Sequence, residues 1–162
     1  MNKCHNCKKP MTVSFERHSY VEGGLPHVYI EGFEVRRCSC GEEDFVYRAI
    51  ESMHHAIANA LIRKPHRLSG AEVRFLRKSL GWSGEMFASR MGVTPSQVSR
   101  WENEHEPIGA VADRLLRILV VLDTPVSDYS SEMLDAVGSE VAPPSELNVR
   151  RVSNRWRAEA AA

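Results

Sequence analysis

Residues 83–103, SGEMFASRMGVTPSQVSRWEN, leave this chain little freedom in how it can fold. Ala88, Gly92 and Val98 stand at the three offsets that two helices need when they cross at a tight turn. Ala88 is small enough to let the second helix approach the first. Gly92 ends the first helix where a residue with φ > 0 is wanted, a conformation glycine adopts without a Cβ penalty. Val98 then projects back from the second helix into a core completed by Phe87, Met91, Val93 and Trp101. The caps agree. Ser83 precedes the first helix, and Thr94-Pro95-Ser96-Gln97 joins a capping box to a proline at the first helical position. The pattern predicts a helix-turn-helix, whose second helix is shaped for a major groove.

The flanks extend this unit to residues 67–122. Ser69-Gly70-Ala71-Glu72 is a capping box that opens a helix with core residues Val73, Leu76 and Leu80, and Phe75 beside them. Pro107 opens a last helix in which Val111, Leu115, Ile118, Leu119 and Leu122 recur at helical spacing. That helix carries more apolar residues than one small core needs, which makes it the first place to look for a dimer surface, though the sequence does not say which surface that is. On the second helix of the motif, Arg100 is the expected base reader, because a guanidinium bonds guanine O6 and N7 in bidentate fashion. Ser96 reads a nearby base or phosphate, and Gln97 divides between its cap and an adenine or phosphate. Ser83, Gly84 and Thr94 lie at helix N-termini, where backbone amides and hydroxyls receive phosphates, and Asn103 follows the helix toward the next one. Trp101 is expected in the core, and Glu102 is expected to be held by Arg77 from the first helix of the domain.

All four cysteines fall in the first forty residues, as Cys4-x-x-Cys7 and Cys38-x-Cys40-Gly41. Two knuckles separated by strand-forming residues, in a reducing compartment, point to one tetrahedral structural Zn²⁺ rather than to disulfides. A module of roughly 45 residues buries too little apolar surface to stand alone, and metal–thiolate bonds supply the difference. The gap in Cys38-Ser39-Cys40 is one residue shorter than the usual spacing, so His5 or a residue outside the knuckles remains an alternative ligand. Four thiolates leave no open coordination position, so the site is not expected to be catalytic, and the chain is not expected to be an enzyme. Loss of the metal is expected to unfold residues 1–46 and spare the helical domain. His54-His55, adjacent on a helix, point about 100° apart and do not grip one ion as an i, i+4 pair does.

The overall plan is α+β. Residues 1–46 form a β-rich zinc-binding module, with strands near Thr12–Glu22 and His27–Arg36. Residues 47–66 are a connecting helix and linker, with helical periodicity from Asp44 to about Ile62 through Ile50, Met53, Ile57, Ala60 and Leu61. Arg63-Lys64-Pro65-His66 is the joint. Residues 67–122 are the helix-turn-helix domain, and 123–162 a largely flexible tail in which Ser130–Val137 makes a short helix and Pro143-Pro144 interrupts. Within that tail VRRVSNRWR (149–157) is a basic patch, read as a solvated segment rather than a DNA arm or a partner-binding segment. The 162 residues balance 21 Lys and Arg against 21 Asp and Glu. A modest positive surplus lies in the helical segment, which makes useful DNA binding dependent on a dimer. No apolar run approaches the ~20 residues of a membrane span, and MNKCHNCKKP lacks a signal-peptide core, so the expected location is the cytoplasm, with no membrane partner.

Residues 68–122, through LSGAEVRFLRKSLGW, FASRMGVTPSQVSRWEN and DRLLRIL, resemble the lambda-repressor-like (Xre-type) helix-turn-helix family. Preceded by Cys-x-x-Cys and Cys-x-Cys-Gly, the combination resembles the MqsA (YgiT-type) antitoxins over about residues 1–122. The resemblance implies a metal role for Cys4, Cys7, Cys38 and Cys40, base reading by Arg100 with Ser96, and an Arg77–Glu102 pair. It further implies an antitoxin that neutralises an mRNA-cleaving ribonuclease toxin with its zinc module. As a homodimer on double-stranded operator DNA, it would repress its own operon. Two departures stand out: the shortened second knuckle, and Gly84 where a phosphate-clamping Gln is customary. The alternative is a zinc-containing helix-turn-helix regulator with no toxin partner.

Overall fold

The computed structural model describes residues 3–126, 128–138, 140 and 145–161. The expected interruption at Pro143-Pro144 lies outside them. The first two strands, β1 (Thr12–Ser19) and β2 (Val28–Arg37), pair antiparallel. Val28 and Ile30, then Phe33 and Val35, turn inward from β2, and the change of phase between the two pairs falls at Gly32, whose φ is +68°. That one-residue slip coincides with a register shift opposite Glu16–His18 of β1, as a β-bulge requires.

The helical periodicity read from Asp44 begins later than expected. Glu43–Val46 is a short strand, β3, paired with the second half of β2 on the edge away from β1, and α1 runs over Ile50–Ile62. Met53, Ile57, Ala58, Leu61 and Ile62 are its buried residues, whereas Ile50 is exposed. The helical domain follows as α2 (Gly70–Ser79), α3 (Gly84–Met91), α4 (Pro95–Glu102), α5 (Ala110–Asp123) and the short α6 (Ser131–Asp135). Both bonds of the Ser69–Glu72 capping box form, and Lys64 Nζ reaches Glu72 Oε1 at 2.9 Å.

The tail expected to be largely flexible is ordered over part of its length. Residues 147–160 form a hairpin of β4 (Leu147–Val152) and β5 (Arg155–Ala160), and β4 lies parallel to the first half of β2, from Val28 opposite Leu147 to Glu31 opposite Arg150. Buried Leu147 and Val149 anchor it, and α1 packs across β4 and β5. The sheet order is therefore β1-β2-β4-β5, with β3 sharing the edge of β2 beside β4. A parallel neighbour requires a crossover, and here the crossover carries the whole helical domain. The module expected at 1–46 is thus completed from the other end of the chain. One continuous core joins Ile30, Val35 and Val149 of the sheet to Ile57 of α1 and Leu76, Phe87 and Leu116 of the helical domain.

The joint at 63–66 is held rather than hinged. Arg117 of α5 is fully buried, and its guanidinium donates to the carbonyls of Ile62 (2.9 Å), Lys64 (2.5 Å) and His66 (2.7 Å) and to Asp113 Oδ1 (2.6 Å). Asp113, equally buried, accepts the Leu68 amide on its other oxygen at 2.7 Å. A buried charge pair survives only when its remaining donors and acceptors are filled, and here they are. On the same helix the apolar repeat faces outward. Val111 is 80% and Leu122 70% exposed, Ile118 is exposed, and Leu115 and Leu119 are only partly covered. The buried side of α5 is Asp113, Leu116, Arg117 and Val120.

Tyr20 and His54 also tie sheet to helices. The Tyr20 hydroxyl lies 2.7 Å from His54 Nε2, and the imidazole meets Phe75 of α2 edge-on. Burial, with a smaller contribution from the neighbouring His55, pushes the His54 pKa down. The histidine is therefore a packed element of the core boundary and not a metal ligand.

Candidate nucleic-acid interface and metal site

The turn between α3 and α4 follows from its small residues. Gly92 sits at φ +67°, and the amides of Gly92 and Val93 close the end of α3 on Ser89 (3.3 Å) and Ala88 (3.0 Å). Phe87, Ala88, Val98 and Trp101 are buried between the two helices and α2. A second close approach was not legible in advance. At Gly70 a Cβ would stand 2.5 Å from the Trp101 carbonyl oxygen and 2.9 Å from that of Glu102, so only glycine lets the start of α2 meet the end of α4.

The end of α4 is fastened by charge. Arg77 Nε donates to Glu102 Oε1 at 2.6 Å, and Arg74, which sequence reasoning left out of this pair, donates to Glu102 Oε2 at 3.1 Å. Burial pushes the Glu102 carboxyl up, but the two guanidiniums outweigh it and hold the group below the usual carboxylate range. Arg74 Nη2 also donates to Asn103 Oδ1 at 2.8 Å, and Asn103 Nδ2 donates to the Ser99 carbonyl at 2.9 Å. Asn103 is therefore engaged at both ends of its amide within the chain, locking the helix terminus.

The start of α4 is open. Thr94 Oγ1 accepts the Gln97 amide at 3.2 Å, but among the described residues the Gln97 side chain returns no bond to Thr94. The expected capping box is half formed, for Thr94 caps alone and the Gln97 carboxamide is left over. Ser83 Oγ caps α3 by accepting the Met86 amide at 3.1 Å, and Gly84 is the first residue of that helix. Ser83, Thr94, Ser96 and Arg100 are all exposed. Arg100 is 56% exposed and its Nε lies 3.0 Å from Glu106 Oε2 in the loop after the helix. An exposed ion pair of this kind is worth about 0–1 kcal/mol, less than the ~1–3 kcal/mol of a bidentate guanine contact, so the pair does not hold Arg100 back from a base.

The positive surplus of the helical segment is smaller than its residue count. Arg117 is buried, and Arg74 and Arg77 are spent on Glu102. Arg90 lies over the Trp82 ring, 4.5 Å from its centroid, which leaves its charge at the surface beside α3.

At the other end of the chain the four cysteines converge. Cys4 Sγ is 3.6 Å from Cys40 Sγ and Cys7 Sγ 3.3 Å from Cys38 Sγ, and all four sulfurs lie within 4.8 Å of one another. A tetrahedron with metal–sulfur bonds of about 2.3 Å has sulfurs about 3.8 Å apart, so this set can hold one metal ion. The short second knuckle closes because Gly41 takes φ +93° and its amide donates to the Cys38 carbonyl at 3.0 Å. The Cys40 amide, with the Cys7 thiol behind it, lowers the Cys38 thiol to about 7. Cys4 and Cys38 are buried beside Met11, whereas His5 is exposed and outside the cluster.

Compared with known proteins, residues 73–128 match the helix-turn-helix family, a span that runs from within α2 past the end of α5. Neither the curated proteins nor the solved structures yielded a match to the chain. The chain thus carries a helix-turn-helix domain of the kind found in DNA-binding transcription regulators, beside a cysteine cluster able to hold a metal ion. No described helix is long and apolar enough to cross a membrane.

Proposed function

We propose that the chain is a dimeric repressor that reads a palindromic operator with α4 and binds one structural Zn²⁺ through Cys4, Cys7, Cys38 and Cys40. We further propose that it serves as the antitoxin of a ribonuclease toxin. The observation that carries the DNA reading is the contrast between the clamped end and the open face of α4. Its C-terminus is clamped by Arg74, Arg77 and Asn103, while Ser96 in its first turn and Arg100 in its last turn stay exposed. The toxin step rests on the resemblance of residues 1–122 to MqsA-type antitoxins, and a cytoplasmic location follows from the work of a DNA-binding regulator. The domain carries no catalytic role in this reading, since four thiolates fill a tetrahedral ion.

Arg100→Ala is expected to weaken operator binding by about 1–3 kcal/mol and to relax the preference at one base position, with the fold unchanged. Fluorescence anisotropy on promoter and scrambled duplexes measures both, and unaltered discrimination would remove Arg100 as the reader. For the partner, the gene beside this one should be toxic when expressed alone and harmless when co-expressed. If no neighbour is toxic, the chain is a metal-containing regulator without a toxin.

Dimerisation is assigned to the outward stripe Val111, Leu115, Ile118 and Leu122 of α5, which spans roughly 17 Å of helix and is exposed except at the partly covered Leu115. Val111→Glu/Leu122→Glu should give monomers in analytical ultracentrifugation and lose tight operator binding while keeping its helical content. A dimer that survives both charges would place the interface elsewhere.

A further inference from the structure

The β4–β5 hairpin carries charge that neither the sheet nor the helix-turn-helix uses. Between residues 150 and 157, RRVSNRWR, it holds Arg150, Arg151, Arg155 and Arg157. Only its base belongs to the wider sheet. Beyond Arg150 the two strands pair with each other alone, from Arg151 opposite Trp156 to Val152 opposite Arg155. Ser153 and Asn154, with φ of +47° and +69°, make the two-residue turn with both central residues left-handed that matches the twist of a hairpin. The ribbon is therefore preformed and loses little conformational freedom on binding.

Its orientation is set from the inside. Val149 is buried, and half-buried Trp156 donates Nε1 to the Arg48 carbonyl at 3.0 Å. The opposite face then carries Arg150, Arg155 and Arg157, all exposed. Arg150 stands directly across from Arg157, an arrangement that destabilises a strand pair when no anion intervenes. Glu159 pairs with Arg150 at 3.2 Å, but Arg155 and Arg157 have no carboxylate within ion-pair distance among the described residues. Elsewhere in the sheet Arg17, Arg36 and Arg37 each have one. In a chain of zero net charge, this ribbon is a concentrated positive surface that Glu159 compensates only at Arg150.

We propose that the hairpin is a second DNA-contacting arm, in which Arg155 and Arg157, with Arg150, neutralise phosphates outside the bases read by α4. A two-stranded ribbon has the dimensions to follow a duplex groove, and arginines at 150, 155 and 157 complement the charge of its phosphates. The contacts are to backbone, so they add affinity and salt dependence without sequence preference. The proposal rests on the helix-turn-helix binding DNA, and its test keeps the two claims apart.

Full-length protein and Arg155→Gln/Arg157→Gln are titrated against the duplex upstream of its own gene and a scrambled duplex, over a series of salt concentrations. Removing two phosphate contacts should lower the slope of log K against log salt by about 1.8, and should weaken both duplexes by the same factor. Arg155→Lys/Arg157→Lys should restore the slope, since only charge is required, and circular dichroism confirms that each variant is folded. Arg100→Ala, by contrast, should lose discrimination and keep the slope of the arm. An unchanged slope and affinity in the glutamine variant overturns the arm alone. Wild-type protein that binds neither duplex overturns both readings. Loss of single-stranded RNA retention with duplex binding intact would make the ribbon an RNA element and also overturn the proposal.

Discussion

Arg117→Ala is expected to lower the unfolding free energy by about 3–5 kcal/mol, a large share of the ~5–15 kcal/mol available to a domain of this size. The substitution strands Asp113 as an unpaired buried carboxylate and strips donors from the carbonyls of Ile62, Lys64 and His66. Those carbonyls run from the last residue of α1 into the segment before α2, so the cost falls on the connection between sheet and helical domain. Urea unfolding followed by circular dichroism and tryptophan fluorescence measures it. Arg117→Met/Asp113→Leu removes both charges together and should be less damaging than Arg117→Ala, because no buried ion is left without a partner. A loss below about 1 kcal/mol in the single variant would show that the clamp is dispensable. With the clamp intact, sheet and helical domain are expected to unfold in one transition.

Cys4→Ser is expected to abolish metal binding, which in small zinc domains supplies an apparent ~10–16 kcal/mol, and yet to leave most of the sheet standing. The two outcomes are compatible because of where β2 lies. Its inward residues Val28, Ile30, Phe33 and Val35 belong to the core shared with α1 and β4, whereas the cysteines cluster separately with Met11. The damage should be confined to the knuckles around Cys4–Pro10 and Cys38–Gly41. Metal content should fall from one ion per chain to none. In hydrogen exchange the amide of Cys38, bonded to the Glu42 carbonyl at 2.9 Å, should lose protection while Ile30 and Val149 keep theirs. Retained metal would mean that the ligands are misassigned. Collapse of protection along β2 would instead restore the view of residues 1–46 as a module that stands only on its metal.

That correction shows where sequence reading ran short. Residues 147–160 contain the signs of a hairpin: inward-facing Leu147 and Val149, a Ser153-Asn154 turn, then Trp156 and Ala158 at alternate positions. What hid them was the density of arginines and the prolines just before. What they pair with lies more than a hundred residues away along the chain, and no local pattern carries that information. β3 was missed for a related reason, since four residues whose one aromatic, Phe45, is exposed are too short to show a period of two. The apolar repeat of α5 was legible as a repeat but not as a face. Periodicity locates a stripe, while the partner that covers it is a tertiary fact, and here the covered side holds the Arg117–Asp113 pair.

The helix-turn-helix was determined by sequence alone, because its requirements are local. A small residue at 88, a left-handed glycine at 92, a core valine at 98 and serine and threonine caps act within a few turns of helix. The cysteine cluster was nearly so, since few arrangements bring two short knuckles on adjoining strands together other than around one centre. Only the tertiary structure decided that the last strands complete the first sheet, that the helical domain sits within the crossover between them, and that a buried guanidinium holds the joint. Each of these depends on backbone groups far apart in the chain meeting where water is excluded. There an unpaired donor or acceptor costs on the order of 1–3 kcal/mol, and the side chain that satisfies it can come from anywhere in the sequence.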